Sequence, residues 1–497
     1  MSSVKKLAGQ TLWYGASSIF GRFLNYLLTP LLASIFASAS YGKISTLFAT
    51  AAFLNIIYTY GLETAYFRFA AKEQETKVYH TALTALISST VLFTAVLYFF
   101  RFDIAAFLEM PEHPEYIGWM IWIVALDTLA VLPFSKLRHE GRPRKFAFIK
   151  VLNILTNIAL VLFFLVLCKQ ANPGSWLHAI YQPEIGLGYV MLANLAASAI
   201  TVLLLMKELQ QFRFVFNGSF MKEILTYSWP LVIVGFGGMV NEMIDRFMLL
   251  KFFPGTTEEA YAQTGIYSAN YKLAVLIVLF IQAFRLGAEP FFFRQSTEQN
   301  AAATYARVMK FFVITCCACF LGVVLFLDVW KYFMGSTHTE YWTGLKVVPM
   351  LMLAKIFLGI YYNLSIWYKL TNRNLTGAWI TLAGAVVTIL INYMLIPEMG
   401  YMACAIATLF CYGSMMLASA WLGQKHYPVP YPWKTIAAYI FIVLILYAMH
   451  RLMIPYLPAI WQRHLAGLIL FSVFAGLIIQ REKETLRQIP VLGNFLR

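Results

Sequence analysis

Fourteen stretches of mostly apolar residues constrain this 497-residue chain more than any other feature of it. They run 12–36, 41–61, 80–101, 115–133, 147–168, 185–206, 224–250, 264–287, 308–328, 344–368, 376–396, 401–423, 433–450 and 464–480. About 20 apolar residues suffice to cross a bilayer as a helix. Lipid offers the backbone no hydrogen bonds, so each stretch is predicted to close its own as an α-helix. The short polar turns between them leave little room for a soluble domain. Only 12% of the residues are charged, about half the share of a soluble domain. The predicted fold class is therefore all-α integral membrane, with 14 transmembrane helices. The opening segment MSSVKKLAGQ leads into a long first span with no small-residue cleavage site. It reads as retained, not as a signal peptide.

A net charge of +15 would suit a nucleic-acid partner if the cations formed one patch. They do not. With the N-terminus placed in the cytoplasm and sides alternating, cytoplasmic segments hold about 26 of the 38 Lys and Arg and outside segments about 7. The loop 136–150 alone carries Lys136, Arg138, Arg142, Arg144, Lys145 and Lys150, whereas the outside loop 101–115 is acidic. The basic balance is the positive-inside bias, and both termini come out cytoplasmic. Nucleic acid is excluded as a partner. The cysteine cluster CCAC at 316–319 has no His or carboxylate near it. It reads as small packing residues, so no metal site and no cofactor are expected.

The chain also repeats itself. RFLNYLLTP begins at Arg22 and RFMLLKFFP at Arg246, so Arg22 and Arg246 lie 224 apart, as do Pro30 and Pro254. YG at 41–42 meets TG at 264–265, an offset of 223. GLETAYFR (61–68) meets GAEPFFFR (287–294), both Gly-x-Glu-x4-Arg. LGYVMLA (187–193) meets MGYMACA (399–405). Landmarks recurring in the same order predict a duplication. It gives an N-lobe of helices 1–6 (1–215) and a C-lobe of helices 7–12 (216–424). A remainder, 425–497, holds helices 13–14 and a cytoplasmic tail. Six spans per lobe is even, so the copies form a parallel repeat about an axis along the membrane normal, with a site expected between the lobes.

The segment LTPLLASIFASASYGKISTLFATAAFLNIIYTYGLETAYFRF resembles the N-terminal signature of the polysaccharide-transport, O-antigen-flippase-like branch of the multidrug/oligosaccharidyl-lipid/polysaccharide (MOP) flippase superfamily. INYMLIPEMGYMACAIATLF (391–410) resembles its span 11–12 signature. The resemblance implies a flippase, not an enzyme, working by alternating access. It would move undecaprenyl-pyrophosphate-linked oligosaccharide from the cytoplasmic to the outer leaflet for surface polysaccharide biosynthesis. It also implies a bacterial plasma (inner) membrane location and membrane lipids, a polysaccharide polymerase and other pathway proteins as partners.

Charges inside apolar spans are the residues with most to explain. A charge at the bilayer centre costs at least about 2.5–3.5 kcal/mol on insertion scales. Arg22 lies roughly 15 Å into the first span, and Arg246, Lys272 and Lys355 also lie within spans. Lys346 is near a span end and is expected to snorkel. An arginine fork and lysine point charges suit a diphosphate, so Arg22, Arg246, Lys272 and Lys355 are the candidate basic cavity. For Arg246 a structural ion pair with adjacent Asp245, or with Glu242 one turn back, is the competing reading. Asp245 and Glu242 are the candidates for coupling to an H+ or Na+ gradient, and Asp127 is expected near the 136–150 loop. Glu63, Arg68, Glu289 and Arg294 are the candidate cytoplasmic gate, since Glu and Arg five apart on a helix are about 140° apart and seek other partners. Pro30 and Pro254 remove a helical donor each, and read either as hinges or as helix ends. Tyr361, Tyr362 and Trp367 are aromatic candidates for a sugar cavity, or simply core.

Rival functions remain. A lipid II flippase shares the fold and the basic cavity. A multidrug and toxin extrusion antiporter would want a central carboxylate. A membrane glycosyltransferase or polymerase would want a large outside loop with catalytic acids, and the outside loops here are about 15 residues. No Gly-x4-Gly-Lys-Ser/Thr loop is present for ATP hydrolysis.

Overall fold

The computed structural model describes residues 20–486 except 22, 25, 72, 173, 211–212 and 297, without the side chains of 289, 290, 294 and 484–486. The helices follow the apolar stretches: α1 Tyr26–Ile35, α2 Ser38–Thr59, α3 Leu62–Ala70, α4 Glu75–Phe99, α5 Pro114–His139, α6 Pro143–Leu162, α7 Gly188–Leu204 and α8 Gly218–Phe252. Then come α9 Thr257–Gln295, α10 Ala301–Val324, α11 Val348–Leu364, α12 Asn374–Met399, α13 Tyr401–His426, α14 Trp433–Met453 and α15 Ile460–Leu486. No strand occurs among the described residues.

Among those residues, twelve helical segments are long and apolar enough to cross a membrane. Of the other two expected spans, one is the shorter 17-residue α7, and residues 12–19, 22 and 25 of the first, 12–36, lie outside the described residues. Seventeen residues rise about 25 Å, short of an average hydrocarbon core. Gly186, at φ 51, precedes α7 and fixes its start. Twelve of the 14 expected spans thus appear as long apolar helices, and one as the short α7. Conversely, α8 and α9 run 35 and 39 residues, well past the apolar stretches that predicted them.

Local chemistry sets the ends. Pro114, Pro143 and Pro349 sit in first turns, where a missing N–H costs nothing. The Asn217 side chain accepts from the Phe220 amide at 3.1 Å and caps α8. Tyr60 and Gly61 are both left-handed, at φ 31 and 76, and break one long span into α2 and α3. The helices are apolar on their outward faces too. Trp122, Trp379, Leu417, Trp421 and Phe441 are all exposed, as a lipid-facing surface requires and a soluble amphipathic helix does not.

The chain forms two compact units, Met1–Ala269 with Thr381–Ala407, and Asn270–Ile380 with Thr408–Arg497. In the first, Leu62, Tyr66 and Phe69 of α3 pack with Val78, Tyr79 and Leu83 of α4, Leu132 of α5, and Phe220 and Ile224 of α8. Phe134, Phe146, Ile149 and Leu205 fill the space between α5, α6 and the end of α7. In the second, Leu358 and Tyr361 of α11 pack against Ile380 of α12 and Tyr412 and Met415 of α13. The last two helices are part of that unit. Glu482 of α15, 6% exposed, accepts from Tyr439 of α14 at 2.7 Å and Lys310 of α10 at 2.5 Å.

Candidate functional site

The charges that sequence placed in oil are held in different ways. Arg246 lies in α8 and is 3% exposed. Its guanidinium donates to Asp245 Oδ1 at 2.5 Å and to the Glu242 carbonyl at 2.6 Å. It stands 5.3 Å from the centre of the Tyr267 ring. The adjacent-carboxylate pairing that competed with a phosphate role is therefore present. Asp245 is as buried as its partner, and Glu242 is half-buried.

Lys355 lies at mid-helix in α11 and is 0% exposed. Its Nζ donates to the Tyr271 hydroxyl at 2.5 Å and sits 4.8 Å from both the Tyr271 and Tyr412 ring centres. Aromatic faces supply the negative potential that offsets part of the desolvation cost. Lys272, next along α9, is half-buried, and Lys346 is exposed where its span begins. Arg22 lies outside the described residues.

Glu63 and Arg68 occupy the first and last turns of α3, where each complements the helix dipole. Glu63 pairs with Arg138 at 2.5 Å, and Arg68 lies 4.1 Å over the Tyr227 ring. The side chains of Glu289 and Arg294 lie outside the described ones. Within the repeat, Gly61 is a left-handed elbow, whereas Gly287 is an ordinary residue inside α9.

The two prolines also differ from each other. Pro30 lies inside α1, which continues five residues beyond it, whereas Pro254 lies two residues past the end of α8. At Pro254 the hinge reading gives way to the simpler one. Without an N–H, proline cannot continue the ladder, and the helix ends at Phe252. Prolines inside long helices include Pro133, Pro230, Pro290 and Pro397.

Asp127 accepts from Ser198 at 2.7 Å. Two cations of the 136–150 loop are met by Glu208, 2% exposed, which takes Lys145 at 2.7 Å and Arg142 at 3.1 Å. The Glu140 hydrogen bond, with the charge of Glu208 behind it, raises the Arg142 pKa above its ordinary value. Tyr361 and Trp367 are core residues. Trp367 stacks on His426 and donates to Ser419 at 3.2 Å, while Tyr362 carries the Arg285 guanidinium 4.0 Å over its ring. Among the described residues no three His, Cys, Asp or Glu side chains gather as a metal site.

Sequence reasoning missed Tyr271, Tyr412 and Asn392. Asn392 is 0% exposed in α12, and neither its amide oxygen nor its nitrogen has a hydrogen-bond partner among the described residues. An aromatic within hydrogen-bonding reach of a buried lysine leaves no mark in a chain this rich in Phe and Tyr.

The family of polysaccharide biosynthesis proteins matches residues 7–294. The chain belongs to that family. None of the curated proteins matches it. Among solved structures, this family member is similar to the lipid II flippase MurJ in an inward closed conformation. The two share 14% identity over 94% of this chain and 99% of that one, with a TM-score of 0.71. It is also similar to a multidrug resistance MATE family transporter of the MOP superfamily in an inward-facing conformation, at 14% identity, 86% and 95% coverage and TM-score 0.61. A eukaryotic MATE transporter, AtDTX14, gives 14%, 88%, 99% and 0.56. This family member is a multi-pass membrane protein with the all-helical fold of the MOP superfamily.

Proposed function

We propose that the chain is an alternating-access flippase that carries undecaprenyl-pyrophosphate-linked oligosaccharide from the cytoplasmic to the outer leaflet of a bacterial inner membrane. The reading rests most on Lys355, a lysine with no exposed surface midway along a membrane helix. A cation kept there at a cost of several kcal/mol is a functional residue by default. Family membership supports a glycan pathway. Arg22, Arg246, Lys272 and Lys355 would hold the diphosphate. Asp245 and Glu242 would take the coupling H+ or Na+. Glu63, Arg68, Glu289 and Arg294 would serve the cytoplasmic gate, and Pro30 would bend the first span. The lobes 1–215 and 216–424 would be the moving parts, with both termini cytoplasmic and a polymerase of the same pathway downstream.

A lipid II flippase is the second reading, favoured by the TM-score of 0.71 to MurJ. Both cargoes are lipid diphosphates, so the cation argument serves either. Drug extrusion fits less well, because the buried carboxylate of Asp245 already has Arg246 as its partner.

The test is translocation in proteoliposomes of two fluorescent lipid diphosphates, one bearing a surface-type oligosaccharide and one the lipid II headgroup. Wild type should move the first faster, and Lys355→Ala should slow it at least tenfold. Equal or faster movement of lipid II would give the second reading the case. No movement of either would remove both.

A further inference from the structure

An open groove of about 470 Å³ runs along one face of α8, within the first compact unit. Gly218, Lys222, Leu225 and Trp229 are spaced four, three and four apart, so they share that face. Phe216, whose ring lies against Gly218 where the helix begins, closes one end. Phe216, Leu225 and Trp229 are all well exposed.

The depth of the groove follows from the backbone before it. Residues 213–217 have no regular secondary structure, and all five are exposed. Unshielded backbone of that kind does not lie in hydrocarbon, so the start of α8 stands at the membrane surface. Lys222 is then about 6 Å along the helix from Gly218, with Leu225 about 10 Å and Trp229 about 16 Å along it. A charge at the surface followed by apolar walls going inward is the polarity profile of a phospholipid.

The charge at the mouth is of one sign. The side chains of Lys222 and Arg213 are exposed, and neither has a carboxylate partner among the described residues. Glu223, next to Lys222, lies about 100° around the helix and off this face. Lys77, behind the helix start, is already engaged by Glu73 at 3.8 Å and by the Phe220 ring.

We propose that this groove is a binding site for an anionic phospholipid, with the lipid phosphate on Lys222, Arg213 beside it, and one acyl chain along Leu225 and Trp229. Basic pockets beside membrane helices hold anionic headgroups by the same attraction. A zwitterionic lipid would bring its own ammonium up to Lys222 and lose that advantage. In the orientation given under the proposed function the lipid belongs to the cytoplasmic leaflet. Bound there, it would tie segment 213–217 to α8.

The experiment follows thermal unfolding of the full chain in a neutral detergent while dioleoyl phosphatidylglycerol or dioleoyl phosphatidylcholine is titrated in. A ligand that binds only the folded protein raises the unfolding temperature, and more so the tighter it binds. Phosphatidylglycerol should act at lower concentration than phosphatidylcholine. Lys222→Gln should raise the phosphatidylglycerol concentration needed roughly fivefold, the factor that one lysine carries at an anionic lipid surface. The same variant should leave the phosphatidylcholine curve unchanged. Trp229→Ala should also weaken the phosphatidylglycerol response. Lys434→Gln, at an exposed lysine in the other compact unit, should not alter it. Four results would overturn the proposal. They are equal responses to the two lipids, a Lys222→Gln curve that overlays the wild type, an equal loss in Lys434→Gln, and a response to inorganic phosphate as large as that to the lipid. The measurement involves no translocation, so its failure and that of the flippase reading are separate results.

Discussion

Arg246 donates at 2.5 Å to the carboxylate of its own chain neighbour, Asp245, and both residues are 3% exposed inside α8. Removing one member of a buried ion pair strands the other charge, which costs about 3–5 kcal/mol, whereas removing both is often neutral. Asp245→Asn and Arg246→Gln should each lower the thermal unfolding temperature in detergent, and the double variant should regain most of the loss. If the pair also handles diphosphate and coupling ion, the double variant stays folded yet inactive in translocation. A stable double variant with wild-type transport would make the pair purely structural.

A different result is expected at Glu63. Its partner Arg138 is 40% exposed and Glu63 itself 49%, and exposed pairs contribute about 0–1 kcal/mol. Glu63→Gln should therefore leave the unfolding temperature within a few degrees of wild type. As a gate residue it should still lower the translocation rate. Paired measurements of melting and transport separate these effects, and a rate unchanged within twofold would take Glu63 out of the gate.

The two copies of Gly-x-Glu-x4-Arg should respond to the same substitution with opposite sign. Gly61 stands at φ 76, and a Cβ there would lie 3.2 Å from the Ser228 carbonyl. A side chain in the left-handed region costs about 1–2 kcal/mol before that contact is counted. Gly287 is helical, and nothing lies within 4 Å of its added Cβ. Alanine within a helix is about 0.5–1 kcal/mol better than glycine. Thermal unfolding should fall for Gly61→Ala and rise slightly for Gly287→Ala.

That divergence shows what a sequence of this kind carries and what it withholds. Fourteen apolar stretches announced the helices, because a backbone in lipid has one way to satisfy itself. The offset of 223 between YG and TG pointed to a repeat, but nothing in the letters said that Gly42 and Gly265 would touch. Partner choice was another matter. Arg246 and Asp245 are adjacent, so that pair was legible, but Lys355 and Tyr271 come together only through the packing of α11 on α9. Glu63 had several cations within reach of any sketch, and Arg138 follows from how α3 packs on α5. Helix limits were equally indistinct, since α8 and α9 continue beyond their apolar cores into polar residues that form good helix.

A buried carboxylate ties the last two helices to α10. Glu482 of α15 receives Tyr439 from α14 and Lys310 from α10, and it is 6% exposed. A charge-assisted bond of this kind contributes about 1.5–3 kcal/mol, and its loss leaves Lys310 without its carboxylate partner. Glu482→Ala should lower the unfolding temperature and speed proteolysis at 457–460, the turn between α14 and α15. Lys310→Met added to Glu482→Met should recover part of the loss, because the apolar pair fills the space without a stranded charge. Translocation per folded molecule should not change if these helices only brace α10. A large drop in rate with normal melting would instead place α14 and α15 in the transport cycle itself.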